Sequence, residues 1–151
     1  MKPLVYDPYV GDDVLKKYGA TGVDFETLLK ESDVITLHLP LTPETKHMMS
    51  MAEFKMMKNS AFLINTSRGG LVNEADLKEA LLNGEIRGAG LDVFEDESGK
   101  LDEAFLTMKN VALTPHVAWN TAEAMESLHI EVTENVLRYL DGETPESIVN
   151  R

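Results

Sequence analysis

Ala61-Phe62-Leu63-Ile64-Asn65-Thr66-Ser67-Arg68-Gly69-Gly70-Leu71-Val72-Asn73-Glu74-Ala75-Asp76-Leu77-Lys78-Glu79-Ala80-Leu81-Leu82-Asn83-Gly84 decides the fold of this 151-residue chain. Ala61 to Ile64 is a short apolar run of the kind that forms a buried strand. It runs straight into the polar turn Asn65-Thr66-Ser67-Arg68-Gly69-Gly70. Asn73 then predicts a helix cap, because its side chain can accept from the free N–H groups of the first turn. Ala75, Leu77, Ala80, Leu81 and Leu82 supply the apolar positions of a helix over Glu74 to Leu82, and Asn83-Gly84 stops it. Strand, polar turn and helix follow one another without a linker.

The same grammar extends in both directions. Pro3 to Tyr6 reads as a strand ended by Asp7-Pro8, and Val34 to Leu39 as a β-branched strand halted by Pro40. Between them, Val14 to Tyr18 and Phe25 to Leu29 read as short helices, the second capped by Asp24. Met48, Met49, Met51, Met56 and Met57 surround Phe54, a pattern that serves most simply as adaptable core filler. Gly88 to Val93 and Val111 to Leu113 are further strands, and a long helix runs from Thr121 to about Leu140 with Ala124, Leu128, Val132, Val136 and Leu140 along one stripe. Alternating strands and helices, with strands apolar throughout, predict an α/β fold whose parallel sheet is covered on both faces. No internal domain boundary is legible, and Asp96 to Asp102 is the one polar stretch that reads as a mobile loop.

Composition narrows the partners. A formal charge of −12 disfavours nucleic acid, whose phosphates need clustered Lys and Arg, and disfavours anionic membrane surfaces. No apolar run reaches the roughly 18 residues of a spanning helix. The sequence has no cysteine, which excludes disulfides, thiolate catalysis and cysteine-based zinc sites, and no metal ligand set is expected. A cytoplasmic location fits these features.

Polar residues gather where strands end. Asp7, His38, Asn65 to Arg68, Asp92 and His116 each follow or close a predicted strand, and ligands of open parallel sheets bind outside the strands' carboxyl ends. One shared crevice is therefore expected. Arg68, Glu97 and His116 lie in the motifs N-T-S-R-G-G, L-D-V-F-E-D-E and L-T-P-H. A guanidinium can fork a carboxylate, and an imidazole paired with an acid can give or take a hydroxyl proton, which suits reduction of a 2-oxo acid.

Across Met1 to Asn150 the chain resembles the D-isomer-specific 2-hydroxyacid dehydrogenase family. The matching segments are Val5 to Tyr9, His38 to Thr42 with Thr45, Asn65 to Val72, Gly88 to Glu97, Thr114 to His116 and Gly142 to Asn150. The resemblance implies a Rossmann-like, doubly wound parallel sheet that binds NAD, with residues 1–151 as a partial NAD-binding domain. Asp7, beside Pro8, would bind the adenosine ribose and favour NAD over NADP. His38, Leu39, Pro40 and Thr45 would flank the adenine and ribose side, Thr66 and Asp92 would bind the nicotinamide, and Ser67 would also touch the cofactor.

Arg68 would grip the substrate carboxylate, and Glu97 would orient His116, the proton donor, which also lies beside the cofactor. Ser98 stands where the family has proline after the glutamate. Trp119 resembles the branch containing the C-terminal-binding-protein corepressors and phosphoglycerate dehydrogenase, where an aromatic shapes the substrate side-chain pocket; a packed core indole is an equal alternative. His47 and His129 match no motif and read as ordinary surface or helix residues. A homodimer is expected by resemblance.

Members of this family precede the Y-D-P segment with a strand, a G-x-G-x-x-G loop and a helix. The expected sheet is thus incomplete: its first strand, glycine-rich loop and first helix are absent, as is the substrate domain. Either the two flanking strands pair directly, or a second copy lends a segment. The chain alone is then expected to bind NAD poorly and to be inactive. Two other readings are a dinucleotide-sensing, corepressor-like module and a remnant of a truncated gene.

Overall fold

The structure is a computed structural model and describes residues 1–96, 101–146 and 148. It divides into two compact units, Met1–Pro115 and His116–Arg151. In the first, β1 (Leu4–Val5) leads to α1 (Asp12–Lys17), β2 (Thr21–Gly22), α2 (Phe25–Glu31) and β3 (Val34–Leu37). The chain continues through α3 (Met51–Met56), β4 (Phe62–Asn65), a single 3-10 turn (Gly69–Leu71), α4 (Glu74–Asn83), β5 (Gly88–Leu91), α5 (Glu103–Thr107) and β6 (Val111–Leu113).

The strands form two sheets. One pairs β1 with β2, and the other has the order β3-β4-β5-β6, with every pairing parallel. Among the described residues the expected direct pairing of the strands flanking a missing one does not occur: β1 pairs with β2, in a sheet separate from β3. Parallel order in the larger sheet puts the carboxyl ends of β3 to β6 along one rim.

The core lies on one face of that sheet. Alternation sends Ile35, Leu37, Leu63, Ala89 and Leu91 inward, where they meet Leu29 of α2, Phe54 of α3, Leu77, Ala80 and Leu81 of α4, and Phe105 of α5. Each large side chain removed from water contributes about 1.5–3 kcal/mol. Met49 and Met57 are core members, and Met48, Met51 and Met56 pack against them, as the filler reading expects. The other face is less covered than predicted: Val34 is 51% exposed and Phe62 36%. Alternating burial in β3 (exposed, buried, exposed, buried) is the pattern of a strand shielded on one side.

Local signals account for the helix ends. Asp24 caps α2 by accepting from the Thr27 N–H at 2.7 Å, and Asn73 caps α4 by accepting from Asp76 N–H at 3.1 Å. Gly84 takes the left-handed conformation (φ 71°) that ends α4. The second unit holds α6 (Ala122–Leu140), capped by Thr121. Leu128, Val132, Val136 and Leu140 of its stripe are all exposed.

Candidate functional site

The turn after β4 is built by Asn65. This residue is 1% exposed, and its amide bridges the loop: Nδ2 donates to the Arg68 carbonyl at 2.9 Å, while Oδ1 accepts from the Ser67 N–H at 3.1 Å. A buried amide with both ends satisfied is a rigid brace. Ser67 Oγ donates to the Leu37 carbonyl at 2.7 Å, tying the turn to the end of β3. Arg68 is exposed, with Nη1 donating to the Ser67 carbonyl at 2.7 Å.

His38, Leu39, Pro40, Leu41, Thr66, Ser67 and Arg68 line a cavity of about 760 Å³ at the carboxyl ends of β3 and β4. Six of the predicted residues, His38, Leu39, Pro40, Thr66, Ser67 and Arg68, therefore share one recess. Thr45 supports it from behind: its hydroxyl donates to the Pro40 carbonyl at 2.9 Å and accepts from the Thr42 N–H at 2.8 Å, so it fixes the loop that forms the wall. His38 is exposed, its Nε2 2.9 Å from the Thr36 hydroxyl.

Asp92 follows β5 and is buried, with the Thr114 hydroxyl donating to Oδ1. Its own N–H donates to the Asn65 carbonyl at 2.9 Å, which extends the ladder to the sheet rim. Asp7 occupies a different recess of about 290 Å³, lined also by Val5, Val10, Asp12, Leu15, Gly22, Val23 and Asp24. Asp7 Oδ1 accepts from the Tyr9 N–H at 2.8 Å across Pro8. Asp7 thus lies in a recess other than the one lined by His38 and by Thr66 to Arg68.

Glu97 lies outside the described residues. His116 opens the second unit in a left-handed conformation (φ 57°), which non-glycine residues adopt uncommonly. Trp119 Nε1 donates to the His116 carbonyl at 2.9 Å and holds that turn. The indole is 53% exposed, so the packed-core reading is overturned.

Sequence reading missed His47, Glu95 and Glu74. His47 is a second left-handed histidine (φ 54°), and its Nε2 pairs with Glu95 Oε1. Glu95 Oε2 accepts from the Glu74 N–H at 3.0 Å, and Glu74 Oε1 accepts from the Glu95 N–H at 2.6 Å. Burial pushes the Glu74 carboxyl above the usual carboxylate range, with the charges of Glu95, Asp102 and Asp96 adding to it, although the hydrogen bond from the Glu95 backbone pulls the other way. No periodicity links residues 48 positions apart; the H-M-M run after Thr45 was the only local signal.

The sequence profile described as "D-isomer specific 2-hydroxyacid dehydrogenase, NAD binding domain" matches residues 1–118. Glyoxylate reductase of Thermococcus litoralis is 48% identical over 151 residues, covering 100% of this chain and 45% of that protein. D-3-phosphoglycerate dehydrogenase of Methanocaldococcus jannaschii is 43% identical, covering 99% of this chain and 29% of its own length. Among solved structures, the NAD-complexed D-isomer specific 2-hydroxyacid dehydrogenase of Lactobacillus delbrueckii ssp. bulgaricus superposes with a TM-score of 0.89 at 36% identity, over 99% of this chain and 48% of that one. The chain thus spans less than half the length of each of these relatives. With its parallel α/β sheet and the matched N-T-S-R-G-G turn, it belongs to the D-isomer specific 2-hydroxyacid dehydrogenases, as their NAD binding domain.

Proposed function

We propose that this chain is the cofactor-binding portion of an NAD-dependent oxidoreductase that interconverts 2-oxo acids and D-2-hydroxy acids. One observation carries the reading: a cavity of about 760 Å³ opens at the carboxyl ends of two parallel strands, with apolar Leu39, Pro40 and Leu41 and the basic Arg68 among its lining residues. That volume lies in the range of small-molecule sites, and the rim of a parallel sheet is where such sites form.

The residues present fit parts of a dinucleotide. The Asp7 carboxylate, at the end of β1 in its own recess, suits a ribose diol and repels a 2′-phosphate. Thr66 and Asp92, after β4 and β5, suit a carboxamide. The sequence contains no G-x-G-x-x-G, so no residue is assigned to the pyrophosphate. When bound, the cofactor supplies hydride exchange at the carbon bearing the oxygen. Arg68 holds the acid's carboxylate in a bidentate fork and fixes its orientation. Family resemblance assigns the proton-carrying role to His116 and the role of its acidic partner to Glu97.

Backbone amide shifts of the labelled protein test the reading. NAD is expected to move the signals of His38, Leu39, Leu41 and Thr66 to Arg68, and glyoxylate, the smallest 2-oxo acid, then moves those of Arg68 and its neighbours. Amide signals unmoved by either compound at millimolar concentration would contradict it.

A further inference from the structure

Three segments meet behind Arg68. Residues 47–49 run beside residues 70–73: the His47 N–H donates to the Gly70 carbonyl at 2.8 Å, Met49 N–H to Leu71 O at 3.1 Å, and Asn73 N–H to Met49 O at 2.9 Å. The third segment, Phe94-Glu95, crosses Gly69 in direct backbone contact. A Cβ built on Gly69 would fall 1.9 Å from the Phe94 carbonyl carbon and oxygen.

Glu95 joins all three. One carboxylate oxygen pairs with His47 and the other accepts from the first N–H of α4, where a helix favours negative charge. Its backbone N–H is returned to the Glu74 carboxylate at 2.6 Å. The Glu95 side chain is only 32% exposed and that of His47 33%, so the pair is held rather than waving in solvent. The motif reading gave none of these three residues a role.

We infer that Glu95 is a positioning residue: clamped between His47 and the start of α4, it locks the Phe94-Glu95 segment against Gly69 and so fixes the direction from which Arg68 meets a carboxylate. This inference rests on the reading of Arg68 as the carboxylate anchor. Without the Glu95 carboxylate the segment keeps its backbone bond to Glu74 but loses the pair with His47 and the bond to the first N–H of α4. A guanidinium fork is useful only when its plane is set.

Two measurements on the full chain test it. In the ligand-free protein, E95A is expected to shift the amide signals of Gly69, Gly70 and Glu74 while leaving those of α2 and β6 in place. H47A, which removes one arm of the clamp, gives the same pattern at smaller amplitude and serves if E95A does not fold. Glyoxylate affinity, read at the Thr66 amide, falls roughly tenfold in E95A and less in E95Q, as expected for coupled neighbours. In R68K, where the fork is already lost, E95A has less than about a twofold further effect. Unmoved Gly69 and Gly70 signals, or an equal loss of affinity in both backgrounds, overturn the positioning role. A wild-type protein that ignores glyoxylate overturns the carboxylate-anchor reading instead, and the ligand-free shifts then decide whether the clamp holds the turn.

Discussion

Gly69 and Phe94 touch backbone to backbone: no side chain fits at Gly69, because its first carbon would overlap the Phe94 carbonyl at 1.9 Å. Backbone cannot yield as a flexible side chain does. Gly70 differs, since its added carbon would meet only the Leu41 side chain, at 2.9 Å. Gly69→Ala is therefore expected to destabilise the chain by about 3 kcal/mol and Gly70→Ala by about 1 kcal/mol, in the range for overpacking. Urea unfolding of the two variants checks the order, and equal losses would refute the backbone contact.

Glu74 makes stability depend on pH. Its carboxyl is held above the ordinary range by burial first, and by Glu95, Asp102 and Asp96 after that. The folded state therefore binds this proton more tightly than the unfolded state, so stability from this group is full below the unfolded value and falls as pH rises through the raised one. Glu74→Gln keeps an oxygen to accept from the Glu95 N–H and cannot ionise. Its stability relative to wild type is expected to rise between about pH 4 and pH 7 and to converge with wild type on acidification. Paired thermal melts across that range measure it, and a gap that widens on acidification would contradict the assignment.

What the sequence made legible was local. Between Ala61 and Gly84 the apolar run, the Asn73 cap and the Gly84 stop each act within a few residues, so strand, turn and helix emerged within one residue of their observed ends. The capped start of α2 at Asp24 and of α6 at Thr121 followed for the same reason. Asn65 was visible as a turn residue, but its role as the brace of Ser67 and Arg68 depends on burial, which no motif states. β2 escaped notice because two residues, Thr21-Gly22, carry no periodicity and exist as a strand only through pairing with β1. α5, at five residues, is also too short to show a helical period. The His47–Glu95 pair joins positions whose separation leaves no trace in either local pattern.

Asp7 sits with Asp12 and Asp24 around one recess, so any phosphate entering there meets three carboxylates. The preference for NAD over NADP is expected to exceed tenfold in the wild-type chain and to shrink by roughly tenfold in Asp7→Ala, the effect of removing one repulsive charge. Calorimetric titration with the two dinucleotides measures both. An unchanged ratio in the variant would move cofactor selection to another residue.

Crystals of the chain grown with NAD and glyoxylate give the sharpest test of Arg68 as the proposed anchor of a substrate carboxylate. The predicted result is the glyoxylate carboxylate facing the guanidinium at about 3 Å, within the recess formed by His38 to Leu41 and Thr66 to Arg68. Glyoxylate bound elsewhere, with Arg68 still turned back onto the Ser67 carbonyl, would rule out that anchor.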